Sequence, residues 1–444
     1  MFRLSNYNYF VPYQDKMIYF NGISNKVFSL NLKEHEKIQV LFKDLISFEI
    51  NYTSVFNQFR NWGFIVDENE DEIALLRFRN HQAIYTDRNY RLFINPTLEC
   101  NFACWYCYEK HSQGYMSEDT ISKIKKHLNY MVEEVGVESI SIGWFGGEPL
   151  LYFDEVVYQI SLHAKELCEK WKIPFYNTIT TNASKINEEM VERIREINFS
   201  RFQITIDGDE KRHNRIRNEN GQPSFQLIMR NIRLLLERLE NVSVILRVNY
   251  DDQTLQQCDM MAIFESIPAE YRHKVSVNFQ RVWQTSKNDL GKNEKRLDLY
   301  AKCRELGFYQ YGVSNAFYIG ETHKCYADRL FYGEINYDGK VFRCTARGYD
   351  DRYVMGELME DGRIKWDEKK MAHCLGKATF DNEMCLPCKY LPLCLGPCSQ
   401  KVLETPKKDL RNVCSLNGCE VSPEEVIIEY YNRKVKILSQ EVKF

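Results

Sequence analysis

The chain has 444 residues, with 59 Lys and Arg against 62 Asp and Glu and a formal net charge of −3. This near-neutral balance argues against a nucleic-acid binder that works through bulk positive charge. Apolar residues make up 44%, which excludes general disorder and supplies material for two to four domain cores. No apolar run reaches membrane-spanning length and the first 16 residues carry no apolar signal core, so we expect a cytoplasmic protein.

Cysteine is abundant and unevenly distributed. The chain has 15 cysteines, and in a cytoplasmic protein this number favours metal or cluster ligation over disulfides. Three lie together at 100, 104 and 107, and most of the others fall after residue 320. Cys168, Cys258 and Cys303 fall in predicted helices, where we interpret them as small buried apolar side chains.

Residues 1–90 are predicted to form one small domain with a winged-helix outline. DNA binding is not favoured, because the segment has 10 basic and 11 acidic side chains and no basic recognition helix. The predicted elements are short strands at 8–13 and 17–20, helices at 34–45 and 54–62, an acidic turn at 67–71 and a returning strand at 73–78.

Residues 91–310 alternate between strands and helices in six βα units. Such alternation predicts an α/β domain with a parallel sheet, either open or curled into a partial barrel. Polar motifs follow the strands directly, where barrel-type βα folds carry their chemistry. The predicted strands are 91–95, 139–145, 176–181, 201–206, 242–249 and 275–283. The predicted helices are 117–135, 153–171, 186–197, 223–239, 254–267 and 289–307.

Residues 311–444 are predicted to form a Cys-rich domain with little periodic structure. A hairpin is expected at 331–344, with its turn at Tyr337-Asp338-Gly339-Lys340. The chain is expected to end in a helix that Ser422 caps, with Pro423 in the first turn.

The first chemical motif is Cys100-x3-Cys104-x2-Cys107, in the loop that follows the first predicted strand of the βα region. Three thiolates on one loop can hold three irons of a [4Fe-4S] cube, which leaves the fourth iron open. The alternative is a zinc site, for which His111 is the nearest additional ligand.

The segment Cys100-Asn101-Phe102-Ala103-Cys104-Trp105-Tyr106-Cys107 resembles the signature of the radical S-adenosylmethionine (radical SAM) enzymes. The resemblance implies that the open iron binds the amino and carboxylate groups of S-adenosylmethionine. Reductive cleavage then yields a 5′-deoxyadenosyl radical that abstracts a hydrogen atom, and a low-potential donor of flavodoxin or ferredoxin type supplies the electron. Tyr106 resembles the residue that packs on the adenine, although it can equally serve as core packing of the loop.

Further motifs extend this resemblance along the βα region. Gly146-Gly147-Glu148-Pro149 resembles the GGEP motif that binds the amino group of the cofactor. Thr181-Asn182-Ala183 resembles the TNG turn, with Ala in place of Gly.

Three more residues are candidate cofactor ligands. Thr205 and Arg217 stand where the sulfatase- and peptide-maturing branch contacts the ribose or carboxylate of the cofactor, and a guanidinium suits a carboxylate. Arg217 could instead be a surface arginine in a basic loop. Asn249, late in the fifth strand, either lines the pocket or caps the sheet end.

The cysteine order after residue 320 resembles the SPASM domain, which holds two auxiliary [4Fe-4S] clusters in radical enzymes that modify peptides or proteins. The resemblance implies three clusters in all. It places the outer auxiliary cluster on Cys385, Cys388, Cys394 and Cys414, and the inner one on Cys325, Cys344 and Cys398. Cys374, Cys419 or an open iron could complete the inner cluster, and Cys419 is also an alternative to Cys414 on the outer one.

The predicted fold is therefore a partial (β/α)6 TIM-like barrel between a winged-helix-like domain and a SPASM domain. The N-terminal domain resembles the recognition element that binds the leader of a ribosomally made precursor peptide through an added strand. Alternatively, it only covers the barrel. No nucleic acid and no membrane are expected as partners.

The predicted activity is a cross-link, either a thioether or a carbon–carbon bond, installed in a ribosomally synthesised precursor peptide. Thr345 follows Cys344 where sulfatase maturases carry an Asp base, which disfavours formylglycine formation. Sulfatase maturation, peptide epimerisation and quinone-cofactor maturation remain alternatives within the family. A zinc-binding winged-helix regulator and a non-catalytic leader-binding protein are the alternatives outside it. Candidate bases are Glu148, Asp207, Asp328 and Tyr326.

Overall fold

The computed structural model describes residues 1–282, 284–285, 294–310, 319–417, 419 and 421–441. The chain divides into two compact units. The first unit contains Met1–Thr86, Val313–Arg329 and His373–Phe444, and the second contains Asp87–Gly312 and Leu330–Ala372. These units do not follow the three sequence segments, since 330–372 belongs with the βα region. The three-domain division stays a prediction.

The first unit begins with two small antiparallel sheets, one formed by β1 with β5 and the other in the order β2-β3-β4. An aromatic core around Tyr19, Phe48, Phe56 and Phe59 fills the space between these sheets and their helices. The elements are β1 (Phe2–Leu4), β2 (Asn8–Tyr13), β3 (Lys16–Asn21), β4 (Val27–Asn31), α1 (Leu32–Leu41), α2 (Leu45–Asn51), α3 (Thr53–Asn61), β5 (Ile65–Asp67) and α4 (Glu72–Thr86).

The predicted returning strand at 73–78 is wrong, because these residues belong to α4. Asp71 accepts a hydrogen bond from the backbone N–H of Ala74 at 2.9 Å, which is a helix N-cap contact. Leu76, Asn80 and Ile84 are buried at four-residue spacing, so one helical face packs into the unit. The structure also contains strand β4 and helix α2, which the sequence analysis did not predict.

The second unit contains a parallel sheet in which β6, β7, β8, β9, β12, β13 and β14 are neighbours in chain order. All six predicted strands and the α/β class are confirmed, and the start of the predicted helix 289–307 lies outside the described residues. The elements are β6 (Asn89–Ile94), α5 (Glu118–Tyr130), β7 (Ser139–Trp144), α6 (Gln159–Trp171), β8 (Phe175–Thr181), α7 (Glu188–Glu196), β9 (Phe199–Ile206), α8 (Glu210–Ile216), β10 (Asn218–Glu219), β11 (Gln222–Pro223), α9 (Phe225–Arg238), β12 (Ser243–Tyr250), α10 (Asp252–Gln257), α11 (Met260–Glu265), β13 (Val275–Arg281), α12 (Glu294–Glu305) and β14 (Tyr309–Gln310).

The predicted hairpin at 331–344 is confirmed, and it is also part of the large sheet. Its first strand pairs in parallel with β6, with Tyr332 opposite Arg91 and Ile335 opposite Ile94. The sheet thereby reaches eleven strands among the described residues. The added elements are β15 (Tyr332–Ile335), β16 (Lys340–Phe342), β17 (Gly356–Leu358) and β18 (Ile364–Trp366).

The last helices complete the first unit. Arg77 donates two hydrogen bonds to Asp381 Oδ1, at 2.7 Å from Nη2 and 3.0 Å from Nε, which joins α4 to the C-terminal segment. The expected final helix is confirmed, and its Tyr431 hydroxyl lies 2.9 Å from Ser29 Oγ on β4. The helices of this segment are α14 (Leu391–Cys394), α15 (Ser399–Glu404) and α16 (Pro423–Glu441), and they are preceded by α13 (Glu368–Leu375), which begins in the second unit and ends in the first. None of the helices in the described part of the chain combines the length and the apolar character needed to cross a membrane.

Candidate active site

The sheet of the second unit has one apolar and one polar face. Residues in register on parallel strands point to the same side, so Thr205, Arg247 and Asn278 form a polar row across β9, β12 and β13. Their chain neighbours Ile204 and Leu246 are fully buried on the opposite face. The polar row just described can bind a charged cofactor between the ends of these strands and the loop that carries Cys100, Cys104 and Cys107.

The cysteine loop lies between β6 and α5, and its three thiols are free. The backbone N–H of Cys107 donates to the carbonyl of Cys104 at 3.0 Å, and the N–H of Phe102 donates to Cys100 Sγ at 3.4 Å. Burial is the main cause that raises the pKa of Cys100 to about 12 and that of Cys107 to about 11, and the charges of Glu148 and Glu109, respectively, and of Cys104 contribute. These thiols need a bound cation to ionise near neutral pH, as iron ligands do.

His111, the candidate fourth zinc ligand, lies beside this loop, with Nε2 3.5 Å from Cys107 Sγ. Among the described residues, no three Cys, His, Asp or Glu side chains converge as the ligands of one metal ion. The thiolates of a [4Fe-4S] cube bind different irons and surround the cube instead. The residues of a site therefore fit a [4Fe-4S] cluster if several thiols surround one common space.

The glycine turn is packed directly against the cysteine loop. Gly146 and Gly147 have φ values of +77° and +29°, which favour glycine. A Cβ on Gly147 would overlap the carbonyl oxygen of Glu99, which directly precedes Cys100. The N–H of Gly147 donates to Glu109 Oε2 and that of Glu148 donates to the Glu99 carbonyl, both at 2.7 Å. The two sequence motifs thus form one substructure.

Glu148 joins this turn to the end of β8. Its buried carboxylate accepts hydrogen bonds from Thr181 Oγ1 at 2.6 Å, from the N–H of Asn182 at 2.7 Å and from the N–H of Leu150 at 3.0 Å. Burial raises the pKa of Glu148, while these donors lower it. The arrangement shows how Glu148 holds the GGEP-like and TNG-like turns together.

Tyr106 lies at the centre of a buried polar network. Its hydroxyl donates to Asp207 at 2.7–2.8 Å and accepts from Arg217 Nη2 and from Asn249 Nδ2, both at 3.0 Å. Arg217 also forms an ion pair with Asp207, and its side chain is 12% exposed. The alternative of a surface arginine is therefore wrong. The network holds the guanidinium of Arg217 and the amide of Asn249 at the polar face. These groups are suited to bind the carboxylate and the ribose of a nucleoside cofactor.

Thr205 and Asn249 also lie in this region. Thr205 is buried in register with Arg247, whose Nε donates to Asn249 Oδ1 at 3.1 Å. Asn249 thus bridges Arg247 and Tyr106. Their assignment as cofactor ligands stays a prediction.

Tyr106→Phe is expected to lower the free energy of unfolding by about 1–3 kcal/mol, because it leaves the buried donors of Arg217 and Asn249 short of an acceptor. The melting temperature of the anaerobically purified protein measures this loss. Tyr176→Phe is the matched control, since Tyr176 is 51% exposed. Equal melting temperatures for the two variants would contradict the structural role of the network.

The predicted outer-cluster cysteines surround one cavity in the first unit. Cys385, Cys388, Cys394 and Cys414 all line it, together with Leu391 and other residues from the same segment. Cys419 is not among the lining residues, and its thiol donates to the carbonyl of Val421 at 3.1 Å. Four thiols around one space therefore fit a four-iron cluster.

The predicted inner-cluster cysteines are divided between the units. Cys325 and Cys398 belong to the first unit, and Cys344 belongs to the second. The candidate base Asp328 accepts a hydrogen bond from the N–H of Cys325 at 3.0 Å, which caps the turn that also contains Tyr326. The inner ligand set stays a prediction.

Sequence reasoning missed three polar residues of the second unit: Glu109, Tyr349 and Glu334. Glu334 is fully buried on β15, and its carboxylate accepts a hydrogen bond from the Tyr349 hydroxyl at 2.7 Å. The available signal was an acidic residue inside a strand of the predicted hairpin. It could not be used, because the pairing of β15 with β6 is not visible in local sequence.

Residues 94–263 match the profile of the radical SAM superfamily. An uncharacterised protein of Methanocaldococcus jannaschii is 30% identical over 290 residues, which cover 64% of this chain and 94% of that protein. The chain belongs to the radical SAM superfamily. Its radical SAM domain contains the cysteine loop, the glycine turn, Arg217 and Asn249. Enzymes of this family use S-adenosylmethionine and a [4Fe-4S] cluster, in agreement with the arrangement of these residues.

Two further matches concern sulfatase maturases. A serine-type anaerobic sulfatase-maturating enzyme of Bacteroides thetaiotaomicron is 28% identical over 343 residues, covering 67% of this chain and 80% of the enzyme. The solved structure of native anSMEcpe with bound AdoMet superposes with a TM-score of 0.56 at 18% identity, covering 80% of this chain and all of that one. The second similarity shows a shared radical SAM fold.

Proposed function

We propose that the chain is a radical SAM peptide maturase that installs a thioether or carbon–carbon cross-link in a ribosomally synthesised precursor peptide. The observation that carries this proposal is the cavity lined by Cys385, Cys388, Cys394 and Cys414. A second iron–sulfur site offers an electron acceptor, and oxidative bond formation needs one. The 28% identity to a sulfatase-maturating enzyme supports a protein or peptide substrate.

The residues of the second unit take the following roles in this proposal. Cys100, Cys104 and Cys107 hold the first cluster, and the backbone of Gly146-Gly147 holds the amino group of the cofactor. Tyr106, Thr205, Arg217 and Asn249 line the remaining cofactor site. When bound, the cluster and S-adenosylmethionine supply a radical that removes a hydrogen atom from the peptide.

The protein contributes position and exclusion of water. The Arg217–Asp207 pair is held by Tyr106, so the guanidinium is fixed in direction before a ligand arrives. Glu148 likewise fixes the glycine turn, because its carboxylate accepts hydrogen bonds from Thr181 and from the N–H of Asn182. The apolar face of the sheet is buried in the core, so only the polar face can carry a cofactor.

The leader of the precursor is proposed to bind the small sheet of the first unit. Among the described residues, β4 pairs with β3 on one side only, whereas the other edge strand, β2, carries Pro12. Pro lacks the N–H that an added strand requires, so β4 is the better edge for an extended peptide. Leader binding raises the effective concentration of the core peptide.

Intact mass spectrometry tests the cross-linking function. A short Cys-bearing peptide encoded beside the gene is co-expressed anaerobically with the enzyme, and each cross-link is expected to remove two hydrogens. Alkylation of free thiols then separates thioether from carbon–carbon products. An unchanged mass with deuterium uptake from solvent would establish epimerisation instead.

Sulfatase maturation is the second candidate, and the Bacteroides relative favours it. Thr345 in place of an acid after Cys344 argues against it. Incubation with a peptide that carries a sulfatase maturation motif, followed by an aldehyde-reactive probe, decides between the two. Labelling by the probe would support maturation and contradict the cross-linking proposal for that substrate class.

A further inference from the structure

Glu334 is a buried acid on the polar side of the large sheet. It lies opposite Phe93 in the parallel register of β15 and β6, so it points to the same side as Phe93 and Asn95. It is fully buried, and all four residues of β15 are buried around it. Burial of a carboxyl group costs free energy, so such an acid is expected either to be fully hydrogen-bonded within the fold or to take part in the chemistry of the site.

The hydrogen bonds of Glu334 leave one carboxylate oxygen free. Oε1 accepts from the Tyr349 hydroxyl at 2.7 Å and from Asn95 Nδ2 at 3.3 Å. Oε2 and the neighbouring Asn95 Oδ1 have no hydrogen-bond partner among the described residues. Glu148 differs, because both of its oxygens accept bonds from the surrounding turns. Glu334 therefore has acceptor capacity that the fold does not use.

The free acceptors lie close to the proposed cofactor site. A Cβ built on Gly146 would lie 2.8 Å from the Cβ of Asn95, so Asn95 separates Glu334 from the glycine turn. From the cysteine loop, the charge of Glu109 acts on Glu334. Tyr108 is also close, and its hydroxyl donates to the carbonyl of Thr345 at 2.6 Å. The unpartnered carboxylate oxygen of Glu334 is therefore buried next to residues that pack against the glycine turn and the cysteine loop.

We propose that Glu334 is the residue that accepts a proton from the peptide during cross-link formation, through its free Oε2, and that Tyr349 and Asn95 position it. This inference rests on the proposed function. Formation of each new bond removes two hydrogens from the peptide. One leaves as a hydrogen atom to the 5′-deoxyadenosyl radical, and the other leaves as a proton to Glu334 and an electron to an auxiliary iron–sulfur cluster.

The electrostatics of the site agree with this role. Burial, with a smaller contribution from Glu109, raises the pKa of Glu334 to about 7. Tyr349 faces Glu334, and burial and then the negative charge of Glu334 raise its pKa well above the usual range. A carboxyl group that titrates near neutral pH can accept a proton in one step and release it in the next.

The test compares Glu334→Gln with Glu357→Gln in the holoenzyme, using the same neighbouring peptide. Glu357 lies on β17 and is exposed, so its substitution removes the same charge outside the site. For Glu334→Gln we expect 5′-deoxyadenosine formation within about threefold of the wild type and cross-linked peptide reduced by about 10²-fold or more. We expect Glu357→Gln to match the wild type in both quantities.

A spectroscopic measurement tests the proton itself. Burial raises the pKa of Glu109 to about 7 as well, so two carboxyls titrate in this range. The infrared band of protonated carboxyl is expected to fall between about pH 6 and pH 8 by two groups in the wild type and in Glu357→Gln, and by one group in Glu334→Gln. Tyr349→Phe keeps the acid but removes one donor, so it is expected to move this titration to higher pH. It serves as the second variant if Glu334→Gln fails to fold.

Each outcome has one meaning. Cross-linking by Glu334→Gln at the wild-type rate, loss of 5′-deoxyadenosine together with the product, or no titrating band assigned to Glu334 would overturn the inference. Wild-type enzyme that cleaves S-adenosylmethionine but never cross-links the peptide would overturn the proposed function instead. In that case the infrared titration still decides whether Glu334 carries a proton near neutral pH.

Discussion

Under the proposed assignment of three clusters and a cross-linking activity, Cys414→Ala is expected to lower the iron content from about twelve to about eight atoms per chain and to abolish cross-linked product. Cys414 lines the same cavity as Cys385, Cys388 and Cys394, and a four-iron cluster with three thiolates is held less firmly. Loss of this cluster removes an electron acceptor, while the cysteine loop of the other unit is untouched. Iron and acid-labile sulfide analysis after anaerobic reconstitution measures the first effect, and mass spectrometry of the peptide measures the second.

Cys419→Ala is the matched control for this prediction. Cys419 lies five residues further along the chain, does not line the cavity and donates its thiol to the carbonyl of Val421. We expect it to retain wild-type iron content. If Cys419→Ala loses four irons and Cys414→Ala keeps them, the outer-cluster ligand has been assigned to the wrong cysteine.

Gly147→Ala is expected to abolish cleavage of S-adenosylmethionine, with a loss of about 10²-fold or more, because the turn and the cysteine loop can no longer touch. The added Cβ would overlap the Glu99 carbonyl oxygen and lie 2.7 Å from the carbonyl carbons of Glu99 and Leu98. Both neighbours are backbone atoms, so the clash cannot be relieved by a rotamer change. The measurements are S-adenosylmethionine binding by equilibrium dialysis and 5′-deoxyadenosine formation with dithionite.

Gly221→Ala separates this clash from simple backbone strain. Gly221 has a φ of +82°, and a Cβ there meets nothing within 4 Å. It is expected to cost only about 1 kcal/mol of stability and to leave S-adenosylmethionine cleavage near wild type. If both glycine variants behave alike, close packing of the turn on the cysteine loop is not what the cofactor site requires.

Local sequence was sufficient for the elements that carry the cofactor site. The six strands of the βα region, the hairpin at 331–344 and the final helix follow from hydrophobic periodicity and turn residues, which act over a few neighbouring positions. The same reasoning failed at 73–78, where a short apolar run fits either a strand or a helix. In the structure, the N-cap contact of Asp71 and the burial of Leu76 and Ile84 on one face stabilise a helix at these residues.

Long-range pairing accounts for the rest. The parallel addition of β15 to β6 joins residues more than 230 positions apart, and no local pattern encodes the choice of partner. This pairing buries Glu334 and brings Asn95 to its carboxylate. The joining of the first 86 residues to the C-terminal segment, through Arg77 and Asp381, is equally invisible in sequence.

The sequence by itself determined which chemistry the chain can carry: the cysteine spacings, the glycine motif and the alternation of strands and helices. These properties depend on residue type and on short separations along the chain. Only the tertiary structure decided that Arg217 is buried against Asp207, that Cys414 rather than Cys419 lines the outer cavity, and that Glu334 faces the polar side of the sheet. Such facts depend on which distant segments exclude water together, and burial is a property of the whole fold.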